Sequence, residues 1–244
     1  MNSPPVLDGR LEPNERDLDQ LAEIATEVRE ARARSEVQPV IVEFAGSPKS
    51  GKSTTIDVLT HFFKRMKFKV RAPTEGASKR TPYHLRRDLV AFNSYTLNYA
   101  ISELLDAYYN IDQPDLVILD RGPFDSLAWL KLLRNKGELE AEAFEKMRAF
   151  ALLPLWTNLI SRIYLFSCDP DVSLDRENSA KLTRRSGTAM NTEMLTTLRD
   201  QYDQLGEELD SYPVVTIDTS ETTDARGTSF RIATDLLELL RGDG

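Results

Sequence analysis

The chain has 244 residues, of which 41% are hydrophobic and 29% charged, and its formal net charge is −8. This composition is ordinary for a globular protein with a full core, and the acidic balance argues against broad nonspecific binding to a nucleic-acid backbone. The single cysteine, Cys168, excludes an internal disulfide bond. Because no apolar run approaches the ~20 residues of a membrane span and the N-terminal stretch lacks a secretory signal pattern, we expect a cytoplasmic protein.

The N-terminal part of the chain precedes the first predicted strand. Residues 1–13 are Pro-rich and polar, and we interpret them as a flexible arm. Residues 14–38 form a helical extension, in which Asn14 suits the N-cap position. The apolar residues on one face of this helix are Leu18, Leu21, Ala25 and Val28. This face would pack on the rest of the chain or against another subunit, and a surface helix with no separate role is an equal alternative.

A complete phosphate-binding pattern follows the first strand. The strand is predicted at about 39–45, residues 46–53 match G-x-x-x-x-G-K-[ST], and a helical pattern begins directly afterwards. The glycines allow a tight turn that brings N–H groups towards an anion, and the helix start adds its positive dipole end. Lys52 would place its charge at the β- and γ-phosphates, and the Ser53 hydroxyl would ligate Mg²⁺. The predicted donor-binding residues here are Gly46, Ser47, Pro48, Lys49, Ser50, Gly51, Lys52, Ser53 and Thr54.

Apolar strands alternate with helices along the rest of the chain. The further strands are predicted at about 68–72, 115–120, 162–168 and 214–218. The further helices are predicted at about 85–109, 125–135, 138–158 with a break near Pro154, 191–210 and 228–241. The strands are continuous apolar runs, which is typical of a parallel sheet that is covered on both faces. We therefore predict an α/β doubly wound fold, with a parallel five-stranded sheet flanked by helices, over residues 39–244.

Three candidate catalytic side chains follow the carboxyl ends of these strands, where ligands bind in open α/β sheets. Asp120 ends the third strand, and a carboxylate there suits a Mg²⁺ ion. Arg121 comes next, where it would clamp a phosphate or pair with a neighbouring carboxylate, and its place at the strand-end crevice favours the phosphate. Glu75 lies in a loop after the second strand. Glu75 either takes the proton from an attacking hydroxyl or orients that hydroxyl. The alternative is that it is an exposed loop residue.

Two basic segments complete the predicted site. The segment at about 175–188 is interpreted as a lid, because phosphoryl transfer requires positive charge over the equatorial oxygens and the exclusion of water. A run of charges on a solvated surface is the alternative. Within the lid we assign Arg184 to catalysis and Arg176 and Arg185 to donor binding. The second segment, from Lys79 to Arg87, would bind an acceptor through its cations and an aromatic ring.

The order of these motifs resembles the thymidylate kinase and deoxynucleoside kinase branch of the P-loop kinases, from about Val40 to Leu209. The segment 71–76 stands where these kinases carry a Glu-Pro motif whose glutamate acts as the base, although here Pro73 precedes Glu75. The segment 119–129 is similar to the Asp-Arg motif of thymidylate kinases and the Ser-x-Ala that follows it. Asp169-Pro170, followed by Arg176, resembles the start of the family's lid.

The resemblance implies a phosphotransferase that depends on ATP and Mg²⁺ and moves the γ-phosphoryl group of ATP to a nucleoside or a nucleotide. It implies a small-molecule acceptor rather than a membrane or an extended nucleic acid as partner, and leaves a homodimer open as the assembly. One alternative is a P-loop NTPase that acts as a nucleotide-dependent switch or partner-binding module, with the N-terminal helix as its contact. Another is a kinase for a different small metabolite. The sequence does not specify the acceptor, or ATP over GTP as donor.

Overall fold

Helices and strands alternate along the chain. The computed structural model describes residues 12–34, 37–73, 81–180, 190–221 and 225–242. The strands are β1 (Val40–Gly46), β2 (Val70–Arg71), β3 (Leu116–Asp120), β4 (Arg162–Ser167) and β5 (Val214–Asp218). The α-helices are α1 (Glu15–Arg32), α2 (Lys52–Arg65), α3 (Leu89–Tyr109), α4 (Pro123–Asn135), α5 (Ala141–Ala151), α6 (Pro154–Thr157), α7 (Pro170–Ala180), α8 (Thr192–Glu208) and α9 (Ala225–Arg241), and a 3₁₀ helix spans Tyr83–Arg87. Across the described ranges, no helix is both long and apolar enough to cross a membrane.

The five strands form one parallel sheet in the order β2-β3-β1-β4-β5. This arrangement confirms the predicted doubly wound fold. β1 is the central strand, and its pairing places Phe44 opposite Asp120 on β3 and Gly46 opposite Phe166 on β4. The loop that leaves the carboxyl end of β1 therefore lies between the residues that follow β3 and those that follow β4.

Buried side chains on both faces of the sheet explain why the strands are continuous apolar runs. On β1, Ile41 and Ala45 pack into one hydrophobic cluster, while Val42 and Phe44 pack into the other. The first cluster includes side chains of α3, α4, α5 and α8, and the second includes side chains of α1, α2 and α9. Because successive residues of a strand point to opposite faces, a strand covered on both sides is apolar at almost every position.

The N-terminal helix α1 packs on the chain's own helix α9. Leu21, Ala25 and Val28 are buried in the cluster that also contains residues of α9. Asn14 caps the helix as predicted, because its side chain accepts from the N–H groups of Arg16 and Asp17. Three of the four residues of the predicted apolar face are therefore covered within the same chain, and the fourth, Leu18, is half-buried.

Three elements differ from the sequence prediction. β2 has only the two residues Val70 and Arg71, since the preceding Lys69 is already tied to Asp115 through its N–H, 2.7 Å from Oδ2. The predicted helix at 85–109 is divided at Asp88, whose side chain caps α3 by accepting from the Ala91 N–H. Helix α7 was not predicted. It covers the first part of the predicted lid, and the rest of that lid lies outside the described residues.

Candidate active site

The phosphate loop turns sharply where it leaves β1. Gly46 and Gly51 have positive φ angles of 138° and 90°. A Cβ atom on Gly46 would lie 2.1 Å from the carbonyl oxygen of Phe166, so the loop passes β4 too closely for any other residue. Gly51 has open space around it, but as the N-cap of α2 it adopts the left-handed conformation that favours glycine. Both glycines of the motif are therefore required by the backbone path.

Lys52 directs its ammonium group into this loop. Nζ donates to the carbonyl oxygens of Gly46 (2.8 Å) and Ser47 (2.7 Å), and it lies 3.2 Å from Ser50 Oγ. The residue is 5% exposed. A full positive charge is thus held at the beginning of α2, where the backbone N–H groups of a helix start also favour an anion.

Ser53 and Asp120 come together at the mouth of the site. The Ser53 hydroxyl donates to Asp120 Oδ2 over 3.3 Å, although the two residues are 67 positions apart. A hydroxyl and one carboxylate are oxygen ligands of the kind that Mg²⁺ takes alongside phosphate and water. In the part of the chain that the structure describes, no three His, Cys, Asp or Glu side chains form a metal cluster. The residues present therefore fit a Mg²⁺ ion that shares its coordination with a bound polyphosphate.

Arg121 follows Asp120 in a left-handed backbone conformation, with φ of 68°. Its Nη1 donates to Asp125 Oδ2 over 2.8 Å, and its guanidinium carbon lies 5.9 Å from the ring centroid of Trp129. Of the two predicted alternatives, the structure shows the carboxylate pair. The role of Arg121 in binding a phosphate stays a prediction.

Asp125 is a connecting residue that the sequence analysis did not assign. It is 2% exposed, and its Oδ1 accepts from the Gly46 N–H (3.0 Å) and from the Tyr202 hydroxyl (2.7 Å). Burial and the nearby Asp125 charge raise the pKa of Tyr202 well above its ordinary value, so this phenol stays a donor. An acidic residue at the start of the predicted helix, four positions after Arg121, is the signal that would have identified it.

Glu43 is a second unassigned carboxylate, and it caps helix α4 from the neighbouring strand β1. It is fully buried and accepts from the N–H groups of Gly122 (3.1 Å), Phe124 (3.2 Å) and Asp125 (2.6 Å). Burial raises the pKa of Glu43 to about 8, although these three hydrogen bonds act in the opposite direction. A Cβ atom on Gly122 would lie 2.3 Å from Glu43 Oε2, which explains the glycine. The sequence signal is the one charged residue of an apolar strand.

Helix α7 is attached to the outer side of the phosphate loop. Arg176 donates through Nη1 to Lys49 O (3.1 Å) and through Nη2 to Thr219 O (2.7 Å). The next residue, Glu177, forms a 3.0 Å ion pair with Lys49 Nζ. Arg176 thus lies beside the predicted donor site, where its described contacts are with protein groups, and its role towards a nucleotide stays a prediction. The other predicted residues after β2 and in the lid, Glu75, Arg184 and Arg185, lie outside the described residues.

The carboxyl end of β2 carries an ion-pair network. Arg71 contacts Glu103 at 2.8 Å and Asp106 at 2.6 Å, both on α3. Partial burial lowers the pKa of Arg71, but hydrogen bonds with the two carboxylates outweigh this and raise it overall. In the predicted acceptor segment, the 3₁₀ helix contains Tyr83, which is 75% exposed, while Lys79 and Arg80 lie outside the described residues. The structure therefore does not test the acceptor role of this segment.

Comparison with known proteins agrees with this geometry. A family model described as AAA domain matches residues 41–220. The fold is similar to solved structures of deoxyadenosine kinase from M. mycoides. The structure with bound dATP has a TM-score of 0.61 and 15% sequence identity, covering 82% of this chain and 100% of that chain. The values are the same for the structure with the products dCMP and a flexible dCDP. The structure with dCTP has a TM-score of 0.59 and 13% identity, with the same coverage.

A search of curated proteins found no match. The sequence identities to the solved structures are low, so this similarity concerns the fold. At that level it confirms the predicted resemblance to P-loop kinases of the nucleoside and nucleotide type.

Proposed function

The chain belongs to the AAA domain family, and from this premise we propose that it transfers the γ-phosphoryl group of ATP to a nucleoside or a nucleotide. The observation that carries the proposal is the meeting of Ser53 with Asp120 beside the Lys52 ammonium. This arrangement supports the proposal, because it combines two oxygen groups suited to a metal with a fixed cation at one end of a phosphate loop. The similarity of the fold to deoxyadenosine kinase supports a kinase over other P-loop reactions.

The chain's own groups would act mainly by positioning and by neutralising charge. The loop amides and Lys52 would bind the β- and γ-phosphates, and Ser53 and Asp120 would hold Mg²⁺. When bound, the ion withdraws negative charge from the phosphate oxygens. Arg121 lies at the adjacent strand end, where its guanidinium would face the phosphoryl group in transfer. Glu75 would accept the proton of an attacking hydroxyl, and the lid cations Arg176, Arg184 and Arg185 would cover the site.

The alternative of a nucleotide-dependent switch would use α1 as the contact. The structure disfavours this form of the alternative, because Leu21, Ala25 and Val28 already pack within the chain. A switch would also hydrolyse or bind the nucleotide without regard to a small acceptor. The dependence of turnover on an acceptor therefore separates the two functions.

The test is an acceptor panel with the full chain. Purified protein is incubated with Mg²⁺ and either ATP or GTP, together with single nucleosides or nucleoside monophosphates. Mass spectrometry measures two products: the ADP or GDP that the donor leaves behind, and the phosphorylated acceptor. We expect at least one acceptor to raise nucleotide turnover with an equal yield of phosphorylated product. Equal turnover with and without every acceptor would contradict the proposal.

A further inference from the structure

We propose that Asp125 is a positioning residue that joins the phosphate loop to Arg121. This inference deepens the proposed function and rests on it, because it concerns where Arg121 acts relative to a bound triphosphate. One carboxylate bridges the two groups: Oδ1 accepts from the Gly46 N–H at 3.0 Å, and Oδ2 accepts from Arg121 Nη1 at 2.8 Å. Gly46 is the first residue of the loop, so the link reaches the donor site directly.

The bridge is buried, which makes it stiff. The side chains of Asp125 and Arg121 are 3% and 18% exposed, respectively. Solvent therefore competes weakly for these hydrogen bonds, and loss of either side chain would remove the opposite charge from beside the other in a poorly solvated place. A surface ion pair would contribute little by comparison.

Asp125 is itself held to β1 through its main chain and to α8 through its side chain. Its N–H donates to Glu43 Oε1 at 2.6 Å, and its Oδ1 also accepts from the Tyr202 hydroxyl at 2.7 Å. The main chain of Arg121 is anchored as well, because its N–H donates to Phe44 O at 3.1 Å. The guanidinium is thus fixed through Asp125 to a frame formed by β1 and α8.

This frame has a mechanistic consequence. Phosphoryl transfer depends on holding cations at fixed positions around the γ-phosphate, and a displacement of about 1 Å is enough to reduce the rate about 100-fold. An arginine on a long side chain has many rotamers, and its pairing with Asp125 selects one of them. The Asp125 carboxylate thus contributes to setting the distance between the loop and the guanidinium.

Asp125→Asn isolates this link. The amide oxygen can still accept from Gly46 and Tyr202, but the amide nitrogen is a donor and would face the donors of Arg121. We expect kcat to fall roughly 10- to 100-fold, while KM for ATP stays within about twofold. In the Arg121→Gln background, Asp125→Asn should cause almost no further loss of kcat, because Asp125 acts through the arginine. Asp19→Asn is the matched control: it makes the same change at an exposed position of α1, and we expect its kinetics to match those of the wild type.

Two kinetic outcomes would overturn the proposal: an unchanged kcat in Asp125→Asn, or independent effects that multiply in the double variant. If Asp125 acted only in folding, Asp125→Asn would lower the melting temperature, and its effect on kcat would be the same with and without Arg121. The melting temperature of each variant is therefore measured beside its kinetics.

A second readout needs neither turnover nor a variant. On titration of the wild-type protein with Mg²⁺ and a nonhydrolysable ATP analogue, we expect the NMR signals of the Gly46 amide and the Arg121 guanidinium to shift together. Independent changes, or a shift at Gly46 with none at Arg121, would contradict the link. If the wild type phosphorylates no acceptor, the proposed function fails, and this titration still decides whether Asp125 connects the two groups.

Discussion

At the scale of single residues, Glu43 shows how a charged side chain can be part of an apolar strand. Its carboxylate replaces the missing hydrogen-bond acceptors at the start of α4, by accepting from three N–H groups that have no partner within the helix. Burial opposes its ionisation and raises the pKa to about 8. The same group therefore orients the helix that carries Asp125 and makes the folded state sensitive to pH.

The sign of this pH dependence follows from the raised pKa. The ordinary pKa of the carboxyl is 4.5 and the folded value is about 8, so between these values the folded chain retains a proton that the unfolded chain loses. The contribution of the protonated Glu43 to the free energy of unfolding is fully present below the pKa of the unfolded chain. It decreases as pH rises towards the pKa of the folded chain, by at most about 1.4 kcal/mol per pH unit. We expect Glu43→Gln to flatten the slope of unfolding free energy against pH, measured with urea from about pH 5 to about pH 8.

The exposed Glu23→Gln on α1 is the control for this substitution, and it should retain the wild-type slope. Parallel slopes for the wild type and Glu43→Gln would show that Glu43 does not titrate in this window.

Lys52 provides the residue-scale prediction for the donor site. Its ammonium supplies the charge nearest to the loop carbonyls, so Lys52→Ala should weaken binding of an ATP analogue and lower kcat by roughly 100- to 1,000-fold. Lys64→Ala, at the exposed end of the same helix, should change neither. Binding is measured by isothermal titration, and turnover by ADP formation. Retained affinity in Lys52→Ala would remove the basis for a triphosphate site.

At the scale of elements, α1 is held in place by a buried arginine as well as by apolar packing. Arg32 donates to Leu240 O at 3.0 Å and to Gln38 O at 2.9 Å, and its Nε lies 3.6 Å from Asp115 Oδ1. Burial lowers the pKa of Arg32, and the charge of Asp115 partly offsets this. These contacts connect α1 to α9 and to the turn before β3, so the helix is attached at its C-terminal end.

Replacement of this arginine should loosen the helix. Arg32→Ala removes the guanidinium donor from two carbonyl oxygens and the opposite charge from beside Asp115, so we expect a loss of roughly 2–4 kcal/mol in the free energy of unfolding. Arg34→Ala removes a guanidinium that is 77% exposed and pairs with Glu30 on the surface. That control should change stability by less than about 0.5 kcal/mol. Urea denaturation measures both, and equal effects would show that the buried contacts of Arg32 do not stabilise α1.

At the scale of the whole molecule, ligand binding and folding should be linked. A ligand that binds the folded state alone stabilises it by about 2.7 kcal/mol at 100 times its dissociation constant. We expect a nonhydrolysable ATP analogue to raise the melting temperature, with a further increase when Mg²⁺ is added. Asp120→Asn should abolish the increment from Mg²⁺, whereas Asp112→Asn, in the exposed turn before β3, should retain it. An increment that persists in Asp120→Asn would exclude this carboxylate as a metal ligand.

Much of the fold could be predicted from the sequence because its signals are local. The glycine positions, the Asn14 cap and the continuous apolar strands each depend on a few neighbouring residues. The prediction was weaker where another element decided the outcome. β2 begins two residues later than predicted, after Lys69, whose N–H is bound by the side chain of Asp115. Helix α7 begins at Pro170, after Asp169, whose side chain accepts from the Asp171 N–H. The lid role of this segment stays a prediction.

By itself, then, the sequence determined that a phosphate loop joins a buried strand to a helix, and that Asp120 and Arg121 end another strand of the same sheet. The tertiary structure alone decided which carboxylates meet them. Glu43 and Asp125 are 82 positions apart, and Gly46 and Asp125 are 79 apart. Their contact depends on the parallel register of β1 and β3 and on the path of the turn into α4. The physical reason is that hydrogen bonds act over about 3 Å, whereas the pattern of a single chain does not specify which distant residues fold to within that distance.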